Sequence, residues 1–360
     1  RSQLVDGVTE IMVMQDMEQR RQTYRLERGA YDAPQEPVEP GVPAALAIPG
    51  KEFSPDRLGL AKWLTDSANP LAGRVVVNRV WQMMFGAGFV HTPEDFGSQG
   101  LSPTHPRLLD WLTRDFIDNG WDVKRLIKQI AMSATYQQDS VATDEKQQRD
   151  PENKLLARGP LNQLPAEMLR DNVLFTSGLL VDKRGGPPAK PYELTASFKP
   201  VGKDNGEGLY RRSVYTYWKR TAPAPVMMTL DASKREVCVV KRERTASPLQ
   251  AIVMLNDPQM VEAARVFADR VLEKHPEVTK DVLALVFRML TSRSPSGAEL
   301  EVIKLGYEEQ LKYFVRHPER IQELMKTGDK PAVDATSKER AALTIVISTL
   351  LSFDESVMKR

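Results

Sequence analysis

Residues 102–134, SPTHPRLLDWLTRDFIDNGWDVKRLIKQIAMSA, contain two helices in succession, and their reading decides the fold class. Thr104 is placed to cap the first, whose Leu108, Leu109, Leu112 and Phe116 share one face and which Asn119-Gly120 ends. Asp122 caps the second, where Val123, Leu126, Ile127, Ile130, Ala131 and Ala134 follow the three-four spacing of a buried stripe. The same punctuation recurs on both sides. Upstream, Ser54 with Pro55 opens a helix to about Thr65, and another follows Pro70 to about Phe85, where Gly86 supplies the stop. Downstream, helices are expected from Pro165 to Ser177, over Leu249–Leu255, Pro258–Glu273, Thr279–Thr291, Gly297–Arg316 and Ser337–Leu351, with a shorter piece near Ile321–Lys326.

The expected fold is therefore mainly α, a multi-helix, two-lobed architecture with a small β component in an N-terminal arm and central strands. Residues 1–50 read as the extended arm, with strand-like pieces at Glu10–Met14 and Thr23–Leu26 and a proline-rich run from Pro34 to Pro49 that denies itself ladder hydrogen bonds. Residues 51–180 form the first helical lobe, including a charged linker from Asp144 to Glu152. Residues 181–247 hold a long loop, Asp182–Gly208, and a basic, aromatic segment. Within it Arg212–Trp218 alternates as a strand does. Residues 248–360 form the C-terminal helical lobe, in which Leu249–Leu255 reads as core and Met227-Met228, just before it, as packing.

One stretch breaks the helical rhythm. Residues 74–110, RVVVNRVWQMMFGAGFVHTPEDFGSQGLSPTHPRLLD, bring aromatic, amide and acidic groups and two of the four histidines into one irregular connection.

Composition narrows the function classes. The 360 residues are 41% apolar and carry a net charge of +2, but Leu209–Thr245 holds nine Lys and Arg against three acids. That window is +6, so the remainder is −4, a local basic patch rather than the overall basic balance of a nucleic-acid binder. Cys238 is the sole cysteine, which excludes an internal disulfide, a multi-cysteine metal site and a Cys-x-x-Cys-His haem attachment in this chain. No apolar run is long enough to span a membrane. The start at Arg1 without methionine suggests a processed product or a fragment.

Several segments together resemble the planctomycete and verrucomicrobial domain of unknown function that follows cytochrome c modules in large exported proteins. They are NPLAGRVVVNRVWQMMFGAGFVHTPEDFG, SPTHPRLLDWL, SATYQQDS, LPAEMLRD, YRRSVYTYWKRTAPAP, REVCVVKRERTASPLQAIVMLNDPQ and LLSFDES, in order from about Glu10 to Ser356. The resemblance implies an exported, periplasmic or cell-envelope module, with haem c on another domain of the full protein and no cofactor in this chain. Its implied partners are a cytochrome c module or neighbouring domain, and polysaccharide. The polar signature that carries over comprises Asn78, Arg79, Trp81, Thr92, Asp95, His105, Asp110, Glu167, Arg170, Asp171, Arg211, Arg212, Lys219, Arg220, Arg235, Glu236, Arg242 and Arg244. His91 falls at a position that varies in that pattern.

Three candidate sites follow. His105 would open the helix that Thr104 caps, where it can act as base or ligand or simply order the preceding loop; Asp95 and Asp110 are the nearby carboxylates, and Asp95 equally suits a turn-capping role. Metal binding would need His91, Asp95, His105 and Asp110 to converge, and no spacing here is diagnostic, so no metal is expected. Glu167, Arg170 and Asp171 can share a helix face as an acid-base pair or as a network tied to the basic segment. In that segment Arg211, Arg212, Lys219, Arg220, Arg235, Arg242 and Arg244 interleave with Tyr210, Tyr215, Tyr217 and Trp218. Arginine forks suit sulfate, phosphate or carboxylate and aromatic faces suit sugar rings, so the coherent ligand is an anionic polysaccharide. Buried Arg-carboxylate bridges between the lobes are the competing reading. The preferred function is thus a non-catalytic exported module that binds partner domains or acidic glycan through this segment together with Asn78, Arg79 and Trp81. The alternative is an enzyme acting on complex carbohydrate, by oxidation coupled to an attached haem module or by hydrolytic or eliminative cleavage with His105 and Asp95 or Asp110.

Overall fold

A computed structural model describes residues 11–194 and 200–359. The architecture is helical with two small antiparallel ribbons. The first ribbon pairs β1 (Thr23–Leu26) with β2 (Pro34–Val38), so part of the proline-rich run does enter a ladder. A two-stranded ribbon consists of edges only, and prolines fit where the missing N–H would face outward. Of the other strand-like piece, Glu10 lies outside the described residues and residues 11–14 have no regular structure. Trp63 Nε1 donates to Leu46 O at 3.2 Å and Arg57 pairs with Asp16 at 2.9 Å, tying the arm to the body.

Helix α1 (Arg57–Thr65) is capped by Asp56, whose carboxylate accepts from Gly59 N at 2.7 Å. Ser54 instead supports that cap, donating to Asp56 at 2.9 Å. Helix α2 (Ala72–Phe85) stops at Gly86, whose φ of 90° admits the backbone there. Next come α3 (Pro106–Asp118) and α4 (Val123–Ala131), the latter capped by Asp122 as its sequence predicts. His105 sits at the N-cap of α3 rather than inside it, because Pro106 takes the first helical position, and Thr104 supplies no side-chain cap bond. The charged linker contains a short helix, α5 (Asp144–Arg149), capped by Thr143. Strand β3 (Asn162–Gln163) precedes α6 (Ala166–Ser177).

The span expected to alternate as a strand forms a 3-10 turn at Ser213–Tyr215, flanked by single bridges from Val181 to Arg211 and from Ala189 to Thr216. Burial there is irregular: Arg211, Ser213 and Thr216 are inside while Arg212 and Val214 are exposed. The turn is defined by its backbone bond, Thr216 N donating to Ser213 O, as in a 3-10 turn. Short α7 (Pro225–Thr229) leads to α8 (Pro248–Asn256), α9 (Pro258–Lys274), α10 (Lys280–Thr291), α11 (Gly297–Arg316), α12 (Pro318–Met325), α13 (Lys338–Leu351) and α14 (Asp354–Val357). The chain then forms β4 (Met358–Lys359), which pairs with β3.

The core divides into two clusters. The smaller is built by α2, α3 and α4 with the Phe89-Val90 turn, around Val77, Trp81, Phe89, Leu109, Phe116 and Leu126. The larger packs α9 against α13 and α6, and takes in Leu209, Tyr210 and Met227 from the central segment. Each fully buried large apolar side chain contributes roughly 1.5–3 kcal/mol by leaving water. Helix α6 gives Ala166, Leu169, Val173 and Leu174 to the larger cluster. Helix α8, expected to be ordinary core, buries only Gln250 and Met254; Leu249 and Ile252 are 57% and 53% exposed, because one edge of that short helix meets the body.

Candidate anion-binding groove

Helix α2 turns its residues to two environments. Asn78 and Trp81 point inward, while Arg79, one residue or about 100° from Asn78, points out. Asn78 clamps the Gly88–Val90 turn, donating to Val90 O at 3.1 Å and accepting from Val90 N at 2.9 Å. Trp81 stacks on Phe85 at 4.1 Å and leans on Phe89 at the same distance. Both residues are structural supports, and Arg79 alone of the three reaches solvent at the site.

The proposed acid-base residues have local partners. Asp95 Oδ1 accepts from Gly97 N at 2.6 Å in a turn that Thr92 closes by donating to Asp95 O. Asp110 pairs with Arg74 at 2.7 Å on the surface. His105 Nδ1 lies 3.1 Å from Thr104 Oγ1, and its ring meets the edge of Phe89. Among the described residues no group of three or more His, Cys, Asp or Glu is placed to hold a metal ion. His91 lies 3.9 Å from Glu152, and its pKa is lowered, first by burial and then by Lys154.

The central basic segment is used in two ways. Its first half is anchored into the body. Arg170 of α6, only 1% exposed, donates to Gln259 at 2.6 Å, to Leu209 O at 2.7 Å, to Arg211 O at 2.9 Å and to Ser213 Oγ at 3.1 Å. Asp171 accepts from Ser213 N at 2.7 Å and lies 3.7 Å from Arg212. Arg211 donates to the carbonyls of Lys183, Gly185 and Pro187 and stacks over Tyr215 at 4.1 Å. Tyr215 accepts from Gly185 N at 2.9 Å, and Lys190 stands 5.9 Å from the ring of Tyr217. This half is held mainly by arginine donating to backbone carbonyls, not by the Arg-carboxylate bridges the sequence suggested. Lys219 and Arg220 follow outside the lining of the groove.

The second half meets α2. Residues 239–245 pass over α6 and face Arg79, Gln82 and Met83 across an open groove of about 1100 Å³. Among the described residues six cations line it, Arg79, Arg235, Lys241, Arg242, Arg244 and Lys359, against two carboxylates, Glu167 and Glu243. Glu167 is shared by Arg242 at 2.8 Å and Arg235 at 3.9 Å, and Arg235 also covers Trp218 at 4.9 Å. Lys359 donates to Met84 O at 2.6 Å and stands over Tyr136 at 4.5 Å.

Arg79 and Arg244 have no hydrogen-bond or ion-pair partner among the described residues. The pKa of Arg244 is lowered, first by partial burial and then by Arg242 beside it. It stays cationic at neutral pH, so an anion arriving there relieves an unfavourable field. Met83, Met168, Val214 and Tyr136 supply apolar surface between the charges.

Of the sequence candidates, then, Arg79, Glu167, Arg235, Arg242 and Arg244 converge on one groove. Lys359 and Asn162 of the lining carried no sequence signal, since the β3–β4 pairing that brings them together joins residues far apart in the chain. Residues 56–306 match the model of the family described as a protein of unknown function (DUF1553), designated PSD1. No curated protein and no solved structure matches the chain.

Proposed function

The chain belongs to the DUF1553 family, and from that premise we propose that it is a non-catalytic binding module whose groove holds an acidic polymer, a sulfated or carboxylated polysaccharide. The observation that carries this reading is the six-to-two excess of cations among the described residues of the groove, where Arg79 and Arg244 have no partner among those residues. Guanidinium forks fit sulfate and carboxylate oxygens in pairs, and the methionines and Tyr136 suit the apolar faces of sugar rings. Each solvent-exposed ion pair is worth only about 0.2–1 kcal/mol, so a single acidic group binds the groove weakly and a polymer that engages several cations binds well. The motif resemblance favours placing such a module in an exported assembly beside c-type haem domains, where it would retain acidic glycan near its partners.

A binding panel of dextran sulfate, polygalacturonate and uncharged dextran tests the class of ligand. Binding of the two acidic polymers and not of dextran is expected, weakening as salt rises from about 0.05 to about 0.5 M because screening shortens the reach of each charge. Equal affinity for dextran, or no binding to either acidic polymer at low salt, contradicts the reading.

A further inference from the structure

A second, smaller pocket of about 510 Å³ opens beside the groove, and Gly86 and Asn162 line both. Asn162 Nδ2 donates to Phe85 O at 3.0 Å, and a Cβ on Gly86 would sit 2.1 Å from Asn162 Oδ1, so these two residues form a tight saddle between the two spaces. Beyond the saddle the wall is made by Ser140–Ala142, Gln147, Asn153 and Arg158.

Arg158 is the unusual member of this wall. It is 8% exposed, it has no carboxylate within ion-pair distance among the described residues, and its one hydrogen bond runs from Nη2 to Pro151 O at 2.7 Å. Its Nη1 is buried without a partner, as is Oδ1 of Asn153, whose Nδ2 donates to Arg158 O at 2.9 Å. The nearest lining carboxylate, Glu152, is turned to Lys154 at 2.9 Å. Unpartnered nitrogens occur on other buried arginines too, Nε of Arg211 and Nε and Nη1 of Arg265, but Arg211 has three carbonyls and a ring and Arg265 lies 3.7 Å from Asp269, whereas Arg158 has one carbonyl and no carboxylate. The loop that carries Arg158 is fixed, because Gly159 N donates to Asp139 O at 2.8 Å and a Cβ on Gly159 would lie 2.2 Å from Gln138 O. A buried guanidinium with no counter-charge is costly unless something supplies one.

We infer that this pocket is a second anion subsite, in which Arg158 receives a sulfate or carboxylate oxygen and the Gln147 amide, also in the wall, frames the group. A polymer lying in the groove can cross the saddle and place an acidic substituent here. That shared occupancy rests on the proposed function of the groove, whereas the pocket's demand for an anion stands on Arg158 alone.

The full chain is titrated with sodium sulfate and, separately, with sodium acetate, each against sodium chloride at matched ionic strength, and the unfolding temperature is read. One of the two salts raises it in the wild type and in the groove variant Arg79→Glu/Arg244→Glu. The rise is smaller in Arg158→Gln and in Val141→Glu, which keep only the general stabilisation that sulfate gives a folded chain. The second variant places a carboxylate at the pocket rim from an exposed position and leaves the core untouched. Which salt acts tells a sulfate ester from a uronate. Sulfated oligosaccharides of increasing length are then compared: Val141→Glu lowers the affinity of long chains by about tenfold, the value of one well-made charge-assisted contact. A salt response as large in both pocket variants as in the wild type, or no response in the wild type, overturns the subsite. If the salt response follows Arg158 while the groove variant binds long chains as the wild type does, the pocket stands and the groove reading falls.

Discussion

Asn78, Arg79 and Trp81 show how adjacent residues divide their work. All three belong to one polar signature, but helical rotation sends Asn78 and Trp81 into the smaller core cluster and Arg79 to the groove. That division was legible in principle from the period of α2. What could not be read was the partner of Asn78, since its target, the backbone of Val90, lies beyond a turn whose course depends on Gly88. A Cβ on Gly88 would lie 2.5 Å from the Asn78 amide. Asn78→Ala leaves the N–H and the carbonyl of Val90 buried without partners and is expected to cost about 2–4 kcal/mol. Urea unfolding checks it; a loss under about 0.5 kcal/mol, the level of an ordinary surface change, contradicts the clamp. Arg158 lies at the opposite extreme of legibility, because nothing in the local sequence distinguishes it from a surface arginine.

Elements with complete punctuation were read well and those held by tertiary bonds were not. Helix α11 is the clear case of the first kind. Ser296 and Glu299 form a reciprocal capping box, with Ser296 N donating to Glu299 at 2.7 Å, and Arg293 adds a bidentate pair to the same carboxylate. Arg293, foremost, and the Ser296 backbone, next, lower the Glu299 pKa to about 2 from an ordinary 4.5. A carboxylate depressed in the folded state stabilises fully above its unfolded pKa and loses that contribution as pH falls through the folded value. The unfolding temperature should therefore decline between about pH 4.5 and about pH 2, and the decline should be shallower in Glu299→Gln, whose neutral amide does not titrate. Identical pH profiles for the two proteins contradict this. The segment 212–218 is the second kind: its alternating residues suggested a strand, but Arg170 and Asp171 hold its backbone from α6 and set a 3-10 turn instead. Likewise α8 has the composition of core and half of its surface faces solvent, because only the neighbours of a helix decide which side is covered.

For the molecule as a whole, the mainly helical class followed from the spacing of apolar residues and the caps. The site did not, because it lies where α2 of the smaller cluster meets the basic segment and the β3–β4 ribbon beside the larger one. Only the assembled chain sets Arg79 opposite Arg244 and delivers Lys359 to the groove from nearly two hundred residues past Asn162. The central claim is that this cationic groove, rather than the chain's overall charge, binds acidic polymer. The most direct measurement is the affinity of dextran sulfate for Arg79→Glu/Arg244→Glu beside the wild type, with both unfolding temperatures recorded. Neither side chain has a partner among the described residues and neither belongs to a core cluster, so the unfolding temperature should hold within the range of ordinary surface substitutions. Affinity should fall by about tenfold or more, since two attractions of up to about 1 kcal/mol each become repulsions. A folded double variant that binds dextran sulfate as tightly as the wild type would contradict the account.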